Sequence, residues 1–390
     1  MRPLFLLCML LLVILLAMVK HADAIRYQVA MQLPKVHHCN NEASPALKSL
    51  LQQFHQLGLA GGQLSILSVN GPAQHCAFGW QLQGLRLKQV HPDDSFRYAS
   101  LSKVLTALTT FSLIEQDKIA LDTNLLNLLA LPGPFLDEQM SFITVQHLLS
   151  HRAGFDRLLA GDPMMQSEPW CPLDIDTLQN IALDFPPGKK MVYSNLGYCL
   201  LGQGIANLTQ QPLKTLIRGT LRLAQYPSIQ TIEAGRFHSQ EVEYFFEPPD
   251  SKTALLQLNS HAMLASGGWG GTTSDLSQLI QQHLPNLYQA ELTFSSHKYL
   301  QTSEVTEWRR YHGLVFYKHV VSDKTIHYWR DGSLPGVTAL TMITTQGDVL
   351  VLLANYRPYD WLPFNDRLGH IVSDFLNQSI TEHPTIQVNF

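Results

Sequence analysis

The chain has 390 residues, enough for one large domain or two ordinary ones with a sizeable core. Hydrophobic residues make up 45% and charged residues only 15%, a pattern that excludes a disordered chain and a coiled coil. A net charge of −4 without a long basic run excludes an electrostatic nucleic-acid binder.

At the N-terminus, Arg2 precedes an unbroken apolar run, Leu4–Val19, with Ala22 and Ala24 at the small-residue positions of a cleavage site. The pattern predicts an export signal over 1–24, cleaved after Ala24, and hence a periplasmic or secreted protein. The alternative is an uncleaved anchor, but the run is slightly short of the roughly 18 apolar residues of a spanning helix. Membrane contact is thus expected only through an uncleaved signal. Cys39, Cys76, Cys171 and Cys199 remain in the mature chain, and an even count in an exported protein permits two disulfides in any of three pairings.

Residues 45–58 carry apolar positions at helical spacing. A hairpin follows, with alternating Leu64, Ile66 and Leu67, a turn at Asn70–Gly71–Pro72, and a second strand through Phe78 and Trp80. From Ser100 to about residue 290 the periodicity is mainly helical, interrupted by a polar, proline-bearing surface excursion at 233–252. Short β-rich runs return at 311–320, 324–332, 337–345 and 349–357, with a turn at Gln346–Gly347–Asp348 and a last amphipathic helix at 364–377. Strands at both ends around a helical middle predict an α+β fold. Residues 25–99 and 300–390 would form one antiparallel sheet flanked by helices, and 100–299 an inserted helical domain. Ser100 falls at the junction, and clefts between domains are favoured ligand sites.

Three short segments can carry chemistry. In "ASLSK", a helix beginning at Ser100 brings Lys103 one turn on, onto the same face. Lysine can take a serine's proton only if its pKa is depressed, and burial near a helix N-terminus does that. The pair also reads as a capping serine with a solvated lysine, and its spacing recurs at Ser295–Lys298. In "VYSNLG", Tyr193 and Asn195 project on one side of an extended loop, a proton relay beside an amide that can hold an acyl donor. In "WRDGSLPG", Gly332 lets a substrate approach a strand closely. The N–H of Ser333 would complete an oxyanion hole with that of Ser100, and Arg330 would offer a forked donor to a substrate carboxylate. His147 and His151 lie four apart without a third ligand, so no metal site is expected. The "GGWGG" run lacks the Lys-Ser/Thr of a phosphate loop, and no cofactor is expected.

In this order, Ser-x-x-Lys, Tyr-x-Asn and a basic-x-Gly strand resemble the penicillin-recognising serine hydrolases, above all the class C β-lactamase and D-alanyl-D-alanine peptidase branch. The blocks 96–122, 143–155, 185–202, 267–280 and 330–339 look like family segments and suggest one catalytic unit over 40–378. By that resemblance Ser100 is the acylated nucleophile and Lys103 its base partner. Tyr193 protonates the leaving group and helps activate the deacylating water, and Asn195 positions the substrate. Arg330 departs from the family's Lys or His; arginine binds a carboxylate but does not shuttle a proton. Lys324–Thr325 is an inferior match, since Ile326 replaces the glycine. The expectation is an exported acyl-enzyme hydrolase acting on a small-molecule or peptidoglycan-derived substrate: a D-Ala-D-Ala-type peptide, an ester or a β-lactam. The alternative is an inactive, penicillin-binding-like protein of the cell envelope.

Overall fold

The structure is a computed structural model that describes residues 22–382, apart from 70, 158, 160–161, 163–165, 167, 249–250, 294–296, 299–305 and 324. Most of the expected export signal lies outside the described residues, as do Asn70, Ser295 and Lys324.

The organising element is an antiparallel sheet. Its strands are β1 (His37–Cys39), β2 (Gly61–Leu67), β3 (Gln74–Gln83), β4 (Arg86–Gln89), β8 (His297–Lys298), β9 (Tyr311–His312), β10 (Tyr317–Ser322), β11 (Thr325–Leu334), β12 (Val337–Thr344) and β13 (Val349–Ala354). They run in the order β1-β3-β2-β13-β12-β11-β10-β9-β8, with β4 on β3. The last strand in sequence therefore sits at the centre, pairing Leu352 with Leu64 of β2 and Leu340 of β12.

The central strands read as continuous apolar runs because helices cover both of their faces. Alternation divides β13 cleanly. Leu350, Leu352 and Ala354 pack on helices α2 (Pro45–Gln56) and α11 (Trp361–Glu382), while Val349, Val351 and Leu353 face the helical half of the molecule. The architecture is thus an α+β sandwich with one antiparallel sheet between helical layers.

In the helical half, α3 (Ser102–Glu115) is buried along nearly its whole length. It carries Thr109 and Thr110 inside because their hydroxyls bond back to the carbonyls of Leu105 and Thr106. Helix α6 (Asn195–Thr209) is started by Ser194, whose side chain accepts from the Gly197 N–H. The disulfides pair Cys39 with Cys76, between β1 and β3, and Cys171 with Cys199, tying a loop to α6.

Within the mainly helical middle of the chain, β6 (Gln230–Thr231) and β7 (Trp269–Gly271) form a second small sheet with β5 (Phe96–Arg97). One expectation needs correction: 233–252 is not merely a surface excursion. Val242, Tyr244, Phe245 and Phe246 are buried there, and Glu241 neutralises the buried Arg97 at 2.8 Å. Its prolines and charges hid a short apolar segment that fastens down β5.

Candidate functional site

Strand β5 delivers the chain to Ser100 through Tyr98, whose N–H donates to the Trp269 carbonyl at 2.8 Å. Ala99 then adopts a left-handed conformation, φ 47°, before a single 3₁₀ turn leads into α3. This abrupt strand-to-helix turn presents Ser100 to a cavity of about 470 Å³ that is also lined by Tyr193, Asn195 and Ser333. Strand β11 passes directly behind the turn. A methyl group on Gly332 would stand 2.5 Å from the Tyr98 carbonyl oxygen and 3.0 Å from the Ser100 nitrogen, so only glycine fits.

The polar groups converge closely. Ser100 Oγ lies 2.6 Å from Tyr193 Oη. Lys103 is fully buried, and its Nζ donates to Asn195 Oδ1 at 2.7 Å, to the Ser266 carbonyl at 2.9 Å and to Ser100 Oγ at 3.5 Å. Burial pushes the Lys103 ammonium down to about 8, with Arg330 adding repulsion against the attraction of Tyr193 and Asp162. For Tyr193, burial favours the neutral phenol. The charges of Lys103 and Arg330, with hydrogen bonds from Lys103 and Ser100, outweigh it and bring the phenol below its usual range. Asn195 sits at the start of α6, and its amide nitrogen donates to the Asp162 carboxylate.

Ser100, Lys103, Tyr193 and Asn195 thus form one hydrogen-bonded constellation, with Gly332 and Ser333 against it. The arrangement sets a serine hydroxyl beside a phenol and a buried amine with a depressed pKa, with a glycine-bearing strand alongside.

A family model described as Beta-lactamase matches residues 47–368. The chain belongs to the beta-lactamase family. A curated relative, the putative fimbrial assembly protein FimD, serogroup D, of Dichelobacter nodosus, is 32% identical over 319 residues, 79% of each chain. Solved structures share the fold at low identity. D-amino acid amidase from Ochrobactrum anthropi SV3 superposes with a TM-score of 0.71 at 16% identity, covering 87% of this chain and all of the other. A beta-lactamase/D-alanine carboxypeptidase from Yersinia pestis gives 0.67 at 18%, covering 85% of this chain and all of the other.

Arg330 is where the structure departs from the sequence reading. It is 1% exposed and does not line the cavity. The two-residue alternation of β11 sends Asp331 and Ser333 to the cavity and turns Arg330 inward beneath Ser100. There its Nε donates to the Ser100 carbonyl at 3.1 Å, Nη1 to the Val315 carbonyl, and Nη2 lies 3.4 Å from His151 Nε2. Its guanidinium is thus turned away from the cavity, and its charge acts on Tyr193 and Lys103. His147 is a capping residue of helix Val145–Leu149, and buried His151 packs on the Tyr193 ring at 4.5 Å.

Several residues escaped the sequence reading. Asp331, only a spacer in the motif, accepts both Arg309 Nη1 and Nη2, at 3.0 and 2.8 Å, and Asn365 Nδ2 at 2.8 Å. Arg309 Nε also bonds Asp366 at 2.7 Å. These partners come from two segments remote from Asp331 in sequence, one at Arg309 and one at Asn365 and Asp366, so no local spacing announces them. Asp162 and Arg357 also line the cavity and belong to no motif.

Proposed function

We propose that the protein is a serine hydrolase working through an acyl-enzyme on Ser100. Ser100 Oγ attacks the carbonyl carbon of an amide or ester, and its proton passes to the Tyr193–Lys103 pair. The N–H groups of Ser100 and Ser333 stabilise the oxyanion. Collapse breaks the bond to the leaving group, which takes a proton from Tyr193. Water, deprotonated by the same pair, then adds to the ester on Ser100 and releases the acid. The observation that carries this reading is the 2.6 Å contact between Ser100 Oγ and Tyr193 Oη above a buried lysine with a pKa of about 8.

A D-Ala-D-Ala-type peptide or an ester is a better candidate substrate than a β-lactam. The family's Lys or His that opens the third motif is a buried arginine here, leaving that proton donor absent from the site. Two disulfides and the apolar run Leu4–Val19 support export, to the periplasm or beyond the cell. The resemblance to a fimbrial assembly protein supports a second reading, an envelope protein that binds without turnover.

Labelling separates the two. Incubation with a fluorescent penicillin and a fluorophosphonate should yield an adduct on Ser100 that is lost in Ser100→Ala. Folded protein that reacts with neither probe would leave only the binding role.

A further inference from the structure

The chain of buried hydrogen bonds below Ser100 does not end at Arg330. Glu291, on helix α10 (Leu284–Thr293), is a carboxylate only 1% exposed. It faces the turn 313–316 between β9 and β10, whose Leu314, Val315 and Phe316 are fully buried. A buried turn must find acceptors for its own N–H groups. Here Glu291 Oε1 accepts from the Val315 N–H at 2.6 Å and the Phe316 N–H at 3.2 Å, and Oε2 from the Leu314 N–H at 3.2 Å. Gly313 belongs to this fit, since a methyl group there would collide with Glu291 Oε2.

The same turn holds Arg330. The Val315 carbonyl accepts from Arg330 Nη1, while Arg330 Nε donates to the Ser100 carbonyl at 3.1 Å. The Val315 carbonyl and the Phe316 N–H are the two ends of one planar peptide group. A cation sits at its oxygen and an anion at its hydrogen, so each charge strengthens the bond made by the other. Asp331, next in the strand, is taken by Arg309. The other titratable groups facing Arg330 are the phenols of Tyr193, Tyr198 and Tyr317, the Lys103 ammonium, and His151 and His312, both kept neutral by burial. Those facing Glu291 are Lys318, whose Nζ donates to the Glu291 carbonyl, and the phenols of Tyr198 and Tyr328. A buried guanidinium is costly without an opposite charge within reach.

We infer that Glu291 is the counter-ion of Arg330, joined to it through the peptide between Val315 and Phe316, and thereby a positioning residue for Ser100. Loss of its carboxylate frees the turn, and with it the guanidinium that holds the Ser100 carbonyl. The inference rests on the hydrolase reading above, and it gives a role to a residue outside all three motifs.

The test is a double-variant cycle with Glu291→Gln and Arg330→Gln, read by the second-order rate of fluorophosphonate labelling between about pH 6 and pH 10. That rate constant describes the molecules that label, so a smaller folded fraction does not alter it. Glu291→Gln should label at least about tenfold more slowly than the wild type, the scale of one lost hydrogen bond to a charged group. Added to Arg330→Gln, it should cost less than about twofold, because the two residues act as one unit. The midpoint of the Glu291→Gln labelling profile should also fall by about half a pH unit, since a negative charge is removed from the surroundings of Lys103. Equal penalties in both backgrounds, or a midpoint that stays in place, would reduce Glu291 to packing and overturn the inference. If Glu291→Gln does not fold, the double variant should fold again, because it leaves no member of the pair buried alone. A double variant that stays unfolded overturns the inference as well. Should Ser100 of the wild type not be labelled at all, the hydrolase reading falls. The same cycle in urea unfolding then decides the pair by itself, with additive losses counting against it.

Discussion

Replacing Gly332 by alanine probes the join between strand β11 and the turn that holds Ser100. The added methyl would stand 2.5 Å from the Tyr98 carbonyl oxygen. That is roughly 0.8 Å short of an ordinary C···O contact of about 3.3 Å. It would also stand 3.0 Å from the Ser100 nitrogen and 3.2 Å from the Ala339 Cβ. All three are backbone or short side-chain atoms, so the strain cannot be relieved by a flexible side chain. The strand and the turn must part by most of an ångström, pulling the Ser100 and Ser333 N–H groups out of register. A displacement of that size costs on the order of 100-fold in rate, and overpacking costs about 1–3 kcal/mol of stability. For a chain of this length such a loss lowers Tm by about 1–4 °C. The assay is the second-order rate of fluorophosphonate labelling, read beside a thermal melt. Gly219→Ala is the control, since a methyl there meets nothing within 4 Å. A Gly332→Ala protein that labels within about twofold of the wild type and melts at the same temperature would refute the close passage of β11.

Lys103 gives a pH signature. Its ammonium, pushed by burial to about 8, must lose its proton to act as a base, so labelling of Ser100 should rise as pH increases through about 8 and then level off. Lys103→Arg should abolish that rise, because arginine stays charged. A flat wild-type profile between pH 6 and 10 would count against the base role. The folded pKa of Lys103 lies below the unfolded one, so the unfolded chain binds more protons between the two values. Its contribution opposes folding below about pH 8 and fades as pH climbs toward the ordinary lysine range.

Arg330→Gln should slow labelling at least tenfold, because it strips the Ser100 and Val315 carbonyls of a buried donor and removes a charge that favours the Tyr193 phenolate. The loss should be equal for neutral and carboxylate-bearing esters, and a selective loss on the charged one would support the carboxylate-binding role expected of Arg330 from the sequence. Arg309→Met leaves two buried carboxylates without their cation and should cost about 3–5 kcal/mol in urea unfolding at pH 7. Arg309 now holds Asp331 below the usual carboxylate range against the effect of burial. The deficit should therefore shrink as pH falls and Asp331 is protonated, and a deficit independent of pH would contradict the network.

Much of this site was legible in the sequence because its chemistry is local. Ser100 and Lys103 share a helix turn, Tyr193 and Asn195 share a loop, and Gly332 is needed wherever β11 meets the turn. The alternation that sorts Val351 from Leu352 is likewise local, so the buried central strand could be read from its pattern. Orientation was harder. The direction of Arg330 depends on which face of β11 meets the helical half, and period-2 patterning does not fix that when both faces are buried. The partners of Asp331 lie at residues 309 and 365, with Asp366 on the far side of Arg309, and only the folded sheet brings α11 beside β11. The core segment at 242–246 was masked for a different reason, since prolines and acidic residues diluted its apolar signal.

The central claim is that Ser100 carries the acyl group during turnover. The direct measurement is mass spectrometry of protein mixed with excess p-nitrophenyl ester and quenched with acid within the first turnovers, followed by peptide mapping. The account predicts the mass of the acyl group on the peptide holding Ser100, absent in Ser100→Ala. Hydrolysis at an undiminished rate in Ser100→Ala, or an acyl group trapped on another residue, would contradict it.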